Sequence, residues 1–471
     1  MTRSTGSRRR HASSARAPLE LEELTRLVGA GEIDTVLVAF PDLHGRLVGK
    51  RVVAEYFLND VLGHEGLHAC DYLLAVDIDM NPLPGYNYAS WDQGYGDVRT
   101  EPDLRTLRLV PWLERTAMVL CDVHTEAGDP VEVSPRRILQ RQLERARGLG
   151  LTVKAASELE FYLFRESFET LADGGYRDLV PGSTFIEDYH IFQTSRDEPL
   201  IRQIRNHMNV AGVPVEFSKG ECGRGQHEIN LRYTEALEMA DRHVIYKNGV
   251  KEIAALQGRA VTFMAKYLMA ESGSSCHLHT SLWNADGSHS VMHDASGAQH
   301  MSERMRHYLG GLMATAREFS LLVAPNVNSY KRYRPDSWAP TAIAWGIDNR
   351  TCGYRIVGEE GSLRVENRIP GADANPYLAL AAMVAGGLWG IQNRVEPPPL
   401  FTGNGYVDES LPRVPASLHE AVDAFSASAV AREVFGDDVH HHLLNTAVQE
   451  LATFDHTVIT DWELTRYFER I

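Results

Sequence analysis

The chain has 471 residues, 44% of them apolar and 23% charged, close to the average of soluble globular proteins. That composition excludes a disordered scaffold, a collagen-like chain and a small disulfide-held domain. The formal net charge of −16 makes the chain a poor general binder of nucleic acid, whose phosphates demand basic surface.

Residues 1–18 carry Arg3, Arg8, Arg9, Arg10 and Arg16 with serines and no acid, which reads as a disordered basic tail. A helix is expected over 19–28, a strand over 33–40, a turn at Pro41-Asp42-Leu43-His44-Gly45 and a returning strand over 46–53. A helix over 54–62 follows, and strand-like runs then alternate with loops as far as Asp122. Residues 80–96, rich in Pro, Gly, Tyr, Asn and Asp, form a long loop. The turn Gly128-Asp129-Pro130 separates an N-terminal domain, 19–128, from a larger one, 129–471.

An amphipathic helix over 135–149 opens the larger domain. Strands over 152–164, 228–233, 276–282 and 362–369 are separated by long helices over 235–256, 302–319 and 376–392. The part from Ser417 is helical. The apolar run 378–391 is too short to span a bilayer and reads as a buried helix, so no membrane is expected as a partner. The five cysteines are scattered, with no C-x-x-C pair, and read as free thiols of a reducing cytoplasm.

Four segments carry charges where a packing role is hard to see. Glu158-Leu159-Glu160 lies in an apolar strand, so two carboxylates share one face and need a cation to neutralise them. Cys276-His277-Leu278-His279-Thr280-Ser281 puts two histidines and a serine on one face after the flexible run 272–275. Arg364, Glu366 and Arg368 alternate with apolar residues, and Glu221 and Glu228 flank a glycine-containing loop. Five carboxylates with one histidine suit Mg²⁺ or Mn²⁺ better than zinc. Arg332, Arg350, Arg355, Arg364 and Arg368 suit phosphates and carboxylates, so phosphoryl transfer is the chemistry these parts compose. No Walker loop is present.

The segments Glu158-Leu159-Glu160-Phe161, Glu221…Gln226-His227-Glu228, Gly273…His277-Leu278-His279-Thr280-Ser281, Asn328-Ser329-Tyr330-Lys331-Arg332, Asn349-Arg350 and Arg364-Val365-Glu366-Asn367-Arg368 occur in that order. In this the chain resembles the type I branch of the glutamine synthetase family, over nearly everything after the basic tail. The resemblance implies an α+β fold, with a small N-terminal β-grasp-like domain and a large catalytic domain. The latter is built on a curved antiparallel sheet, an open barrel, surrounded by helices. It also implies a homododecamer of two hexameric rings with sites shared between subunits.

Carried over residue by residue, Glu160, Glu221 and Glu228 hold one Mg²⁺ or Mn²⁺, and Glu158, His277 and Glu366 another, with two or three ions per site. His279, Ser281 and Arg364 match nucleotide-contacting positions, and Arg350 and Arg355 match those that steady the phosphoryl group. Arg332, Arg368 and the backbone at Gly273 match the glutamate-binding positions. The implied reaction phosphorylates the γ-carboxylate of glutamate with ATP, and an amine then displaces phosphate.

Two departures bear on the amine. The family's Asp-Gly-Ser-Ser element reads Asp71-Tyr72-Leu73-Leu74 here, so Leu74 replaces a serine that helps bind ammonium. The glutamate six residues beyond the arginine of Asn-Ser-Tyr-Lys-Arg is replaced by Trp338. Both changes exchange ammonium ligands for apolar surface, which points to an organic primary amine, a polyamine or an ethanolamine-type molecule. Overall acidity tilts the choice towards polyamines. Asp71 or Glu221 is left to take the amine's proton. An ammonia-using glutamine synthetase and a non-catalytic regulatory or structural relative are the alternatives. Tyr406 lies near the tyrosine that some family members adenylylate, but its flanking residues differ and it reads as an exposed loop residue.

Overall fold

The first β-strand, β1 (Thr35–Pro41), is apolar after Thr35, and every one of those apolar residues is buried. It precedes β2 (Leu47–Val53), β3 (Leu67–Cys70), β4 (Asp97–Leu109) and β5 (Thr116–His124) in a five-stranded sheet ordered β2-β1-β5-β4-β3. Only β1 and β5 pair in parallel. Helix α1 (Leu21–Gly29) buries Leu24 and Leu27, which share a face at helical spacing. The β1–β2 turn closes on Asp42, whose carboxylate accepts from the His44 and Arg46 amides at 2.9 and 2.8 Å. The helix expected over 54–62 is one α-turn that widens into a π-helical turn, Phe57–Val61.

These positions come from a computed structural model that describes residues 18–63, 66–335 and 337–470. The basic tail expected at 1–18 lies, but for Pro18, outside the described residues.

A second sheet has nine strands. Its centre is β6 (Leu151–Phe164), followed by β7 (Val215–Gly220), β8 (Gln226–Leu231), β9 (Thr234–Glu235), β10 (Ala260–Thr262), β11 (Cys276–Asn284), β12 (Trp345–Ile347), β13 (Tyr354–Val357) and β14 (Arg364–Asn367). The order is β12-β13-β14-β11-β6-β8-β7, with β9 and β10 pairing opposite ends of β6. Every pair is antiparallel except β12–β13. The expected curved antiparallel sheet, and with it the α+β fold, is thus what the chain forms.

Helices cover this sheet: α2 (Pro135–Gly148), α3 (Glu198–Val210), α4 (Ala236–Leu256), α5 (Glu303–Thr315) and α6 (Pro376–Asn393). Helix α6 is buried nearly all round and packs on α2, α4 and α5. At Gly390 a Cβ would overlap the His307 carbonyl and Gly311 of α5, so glycine sets how close the two helices come. The C-terminal part is helical, including α7 (Leu418–Ala427) and α8 (Asp437–Thr457). Among the described residues no helix is long and apolar enough to cross a membrane, and all five cysteines are free.

One buried cation joins the two sheets. Arg136 of α2 is 1% exposed and donates to both Asp241 oxygens on α4 at 3.0 Å and to Asp103 on β4 at 2.7 Å. It also pairs with Asp122 on β5, and the Tyr377 hydroxyl donates to Asp241 at 2.6 Å. Removing one member of such a buried set leaves the others uncompensated, at a cost of about 3–5 kcal/mol. Arg136→Ala is therefore expected to lower the urea-unfolding free energy by about that much. An unchanged midpoint and slope would show that the set carries no net stability.

Candidate active site

Strand register alone collects the charged residues. Directly opposed residues of an antiparallel pair share a face. Glu160 of β6 opposes Glu228 of β8, and Glu158 opposes His277 of β11. His279 opposes Glu366 of β14, and Glu366 opposes Arg355 of β13. Seven of the charged residues read from the sequence thereby project from one side of the sheet. The reverse side is closed by α4, where the Ser157 hydroxyl bonds His243 at 2.8 Å.

The charged side opens on a cavity of about 720 Å³ lined by Glu158, Glu160, Glu221, Glu228, Gly273, His277, Trp338, Arg350, Arg355 and Arg368. A second cavity of about 380 Å³ shares Glu158, Phe217 and Asn230 with the first. Its walls include His279, Ser281 and Arg364, the three residues matched to nucleotide contacts. Two compartments with a carboxylate at their junction suit two reactants that meet there.

The carboxylates fall into two electrostatic classes. Burial opposes ionisation of Glu366, but Arg368 at 2.6 Å, His277, His279 and Arg355 at 2.9 Å hold it down to about 2. Glu158 is likewise held low against burial by His277 and by His279, whose Nε2 lies 2.9 Å away. Glu160 and Glu228 go the other way: burial, then the charge of Glu221, pushes both well above the carboxylate range. Lys219 is the cation at this end; it pairs with Glu221 and lies 3.7 Å from Asp188.

These residues fit divalent cations. Ligand atoms of Glu160, Glu228 and His277 lie within 4.8 Å of one another, as do those of Glu158, His277 and Glu366. His277 Nε2 is buried without a hydrogen-bond partner, and Glu160 and Glu228 are two buried carboxylates without a directly paired cation. Oxygen donors with a single imidazole suit Mg²⁺ or Mn²⁺. Glu221 lines the cavity but turns to Lys219, outside the two tight groups.

Other expected residues take different places. Arg332 is 1% exposed and lies behind the loop at Gly273, donating to Ser275 Oγ at 3.1 Å and to the Ile369 carbonyl. A Cβ at Gly273 would overlap the Arg332 side chain, which is why glycine stands there. Arg350 is exposed on the cavity wall. Trp338 is 53% exposed at φ 59°, a left-handed backbone that is rare for so bulky a residue. Ser281 Oγ accepts from Trp283, and Arg364 donates to His279 Nδ1 at 3.2 Å.

Asp71 and Leu74 do not reach this cavity within one chain. Asp71 accepts from the Gly96 amide at 2.9 Å, and Leu74 is buried at 1% exposure in the core. Tyr406 is half-buried with its hydroxyl inside the protein, which corrects the reading of an exposed loop residue. Gln226 stands in a quoted motif without an assigned role, yet it organises the site: its amide nitrogen donates to Glu160 at 3.0 Å and to the Gly273 carbonyl at 3.1 Å. Its place beside His227 and Glu228 is the available signal. Lys219 belongs to no motif at all.

The raised carboxylates set a sign. Glu160 and Glu228 bind more protons folded than unfolded, so the metal-free protein loses stability as pH rises from about 4.5 through neutrality. Glu158 and Glu366, held low, lose their contribution only as pH falls below that range. Urea unfolding between about pH 5 and 8 is expected to show the first slope without divalent metal and a much flatter one with Mg²⁺. Calorimetry in buffers of different ionisation heat should show proton release on Mg²⁺ binding, reduced in Glu228→Gln. Metal binding with no proton release would contradict the assignment.

Known proteins share this chain's sequence pattern and fold. The family model for the glutamine synthetase catalytic domain matches residues 132–467. The chain is 53% identical over 454 residues, 96% of each chain, to gamma-glutamylethanolamide synthetase GlnA4 of Streptomyces coelicolor. It is 40% identical over 442 residues, 93% of this chain and 96% of the other, to the glutamate–isopropylamine ligase of a Pseudomonas species. A solved GmaS–ADP complex superposes with a TM-score of 0.82 at 28% identity, covering 94% of this chain and 99% of that one. The chain belongs to the glutamine synthetase family.

Proposed function

We propose that the chain is an ATP-dependent ligase that joins the γ-carboxylate of glutamate to a short primary amine of the ethanolamine type. One observation carries the reading: an indole, Trp338, lines the cavity where an ammonia-using enzyme would need a carboxylate. Ammonium is held by charge, whereas an amine with a carbon tail also gains from apolar surface, about 25 cal/mol per Å² buried. The names of the 53% and 40% identical relatives, for ethanolamine and isopropylamine, support a short amine over a polyamine. Net acidity, the ground for preferring polyamines, is spread over the whole chain, and the cavity-lining acid Asp188 already lies 3.7 Å from Lys219.

In the first step a γ-carboxylate oxygen of glutamate attacks the terminal phosphorus of ATP. The bond to the bridging oxygen breaks, and ADP leaves with that electron pair. In the second, the amine nitrogen attacks the acyl carbon, loses a proton and expels phosphate, leaving an amide. Glu160, Glu221 and Glu228, with Glu158, His277 and Glu366, would hold Mg²⁺ or Mn²⁺, which when bound neutralises the phosphate charge.

The protein's own groups do the rest. Arg355, held by Glu366 and Asp348, is fixed before substrate arrives, so its charge costs little reorganisation when the phosphoryl group moves. Arg350 shares that task, and Arg368 with the Gly273 backbone binds glutamate in the larger cavity, Arg332 bracing the loop from behind. His279, Ser281 and Arg364 receive the nucleotide in the smaller one. Glu221 shares the cavity with Trp338 and takes the amine's proton, with Asp71 of a neighbouring subunit as the second acceptor. That sharing accords with a cytoplasmic homododecamer in which domain 19–128 of one chain meets domain 129–471 of the next. Leu74, buried in its own domain, then shapes the wall through packing.

Phosphate release with Mg²⁺, ATP and glutamate is expected to require ethanolamine or a short alkylamine, with ammonium and putrescine at least about tenfold weaker in kcat/KM. Restoring a carboxylate is worth roughly 1.5–3 kcal/mol to a charged donor, so Trp338→Glu should improve ammonium use about ten- to a hundredfold. Efficient glutamine formation by the wild type would overturn the proposal.

A further inference from the structure

We propose that Glu187, Asp197 and His227 form a second cation site, of zinc class, outside the catalytic centre. Along β8 the side chains alternate. Gln226 and Glu228 face the catalytic cavity, so His227 points to the other side of the sheet. There its Nε2 lies 3.3 Å from Glu187 Oε2 and 3.5 Å from Asp197 Oδ2. All three side chains are buried: His227 is 2% exposed, Glu187 0% and Asp197 4%. Both Glu187 oxygens, Asp197 Oδ2 and His227 Nε2 are buried without a partner of good hydrogen-bond geometry, Ser183 being the other side-chain donor beside Glu187. Arg259 reaches only the other Asp197 oxygen, at 3.4 Å.

The spacing discriminates between explanations. A protonated imidazole bound to carboxylates makes contacts of about 2.7–2.9 Å, shorter than either distance here. Ligands about 2.0–2.1 Å from a tetrahedral zinc lie about 3.3–3.4 Å from one another, close to both. One imidazole and two carboxylates form a ligand set zinc accepts, with water in the fourth position. The site also has a structural task. Asp188 bridges Gly220 of β7, and Asp188, Tyr189, Ile191 and Thr194, between the two carboxylate residues, line the catalytic cavity. A cation held by Glu187, Asp197 and His227 fastens both ends of that cavity wall to β8.

The test is metal content. Purified full-length protein is saturated with Mg²⁺, offered Zn²⁺, desalted and counted by plasma mass spectrometry. About one zinc per chain is expected in the wild type and in Glu366→Gln, and about tenfold less in Asp197→Asn and in His227→Gln. Co²⁺ in place of zinc should give tetrahedral visible absorption in the wild type and in Glu366→Gln but not in Asp197→Asn. A wild type that retains no zinc, or zinc lost from Glu366→Gln but kept by Asp197→Asn, would overturn the proposal.

Discussion

The opposition of Glu160 and Glu228 across β6 and β8 is the constraint on which the rest of the site depends. Two carboxylates on one buried sheet face repel each other and resist desolvation, so a fold that keeps them must supply positive charge. This chain supplies it unevenly. Arginines and histidines surround Glu366 and Glu158, while Glu160 has only the more distant charges of Arg332 and Lys219 and Glu228 that of Lys219. The uneven supply leaves Glu160 and Glu228 short of positive charge and Glu366 already paired with Arg355 and Arg368.

That arrangement needs a rigid frame, because opposed side chains change face if a strand slips by one residue. The frame is the pairing of β6 with β8 and β11 along most of its length, backed by α2, α4 and α6. Arg136 and its carboxylates tie the helices behind this sheet to the smaller sheet. Asn375, at the start of α6, donates to the Asp42 and Leu43 carbonyls of the β1–β2 turn at 3.1 Å. Packing of the N-terminal sheet therefore bears on the site although none of its side chains lines the cavity of its own chain.

Much of this is legible in the sequence, for a physical reason. Glu158, His277 and Glu366 alternate with apolar residues along their strands, so charges recur on one face in a readable pattern. The β6, β11 and β14 runs and helices α2, α4 and α6 are readable from the same periodicity. Strand β13 escapes because four residues with Arg355 inside them give no periodic signal. Strand β7, Val-Glu-Phe-Ser-Lys-Gly, is too polar and exposed to stand out, and Lys219 goes with it. Helix α3 is a different case: Leu200, Ile201, Ile204 and Met208 follow Pro199 at helical spacing, a signal that the expected elements do not include. Register is not written in local sequence, so the pairing of Glu160 with Glu228, the withdrawal of Arg332 behind Gly273 and the burial of Leu74 need three-dimensional structure.

The central claim is chemical: the γ-carboxylate is activated by phosphorylation before an amine takes its place. Glutamate labelled with ¹⁸O in both γ-carboxylate oxygens tests it most directly. With ATP, Mg²⁺ and ethanolamine, mass spectrometry of the products should find one labelled oxygen in phosphate and the other in the γ-glutamyl amide. Unlabelled phosphate alongside amide product would contradict an acyl-phosphate route, and with it the part of Arg350 and Arg355 in steadying the phosphoryl group.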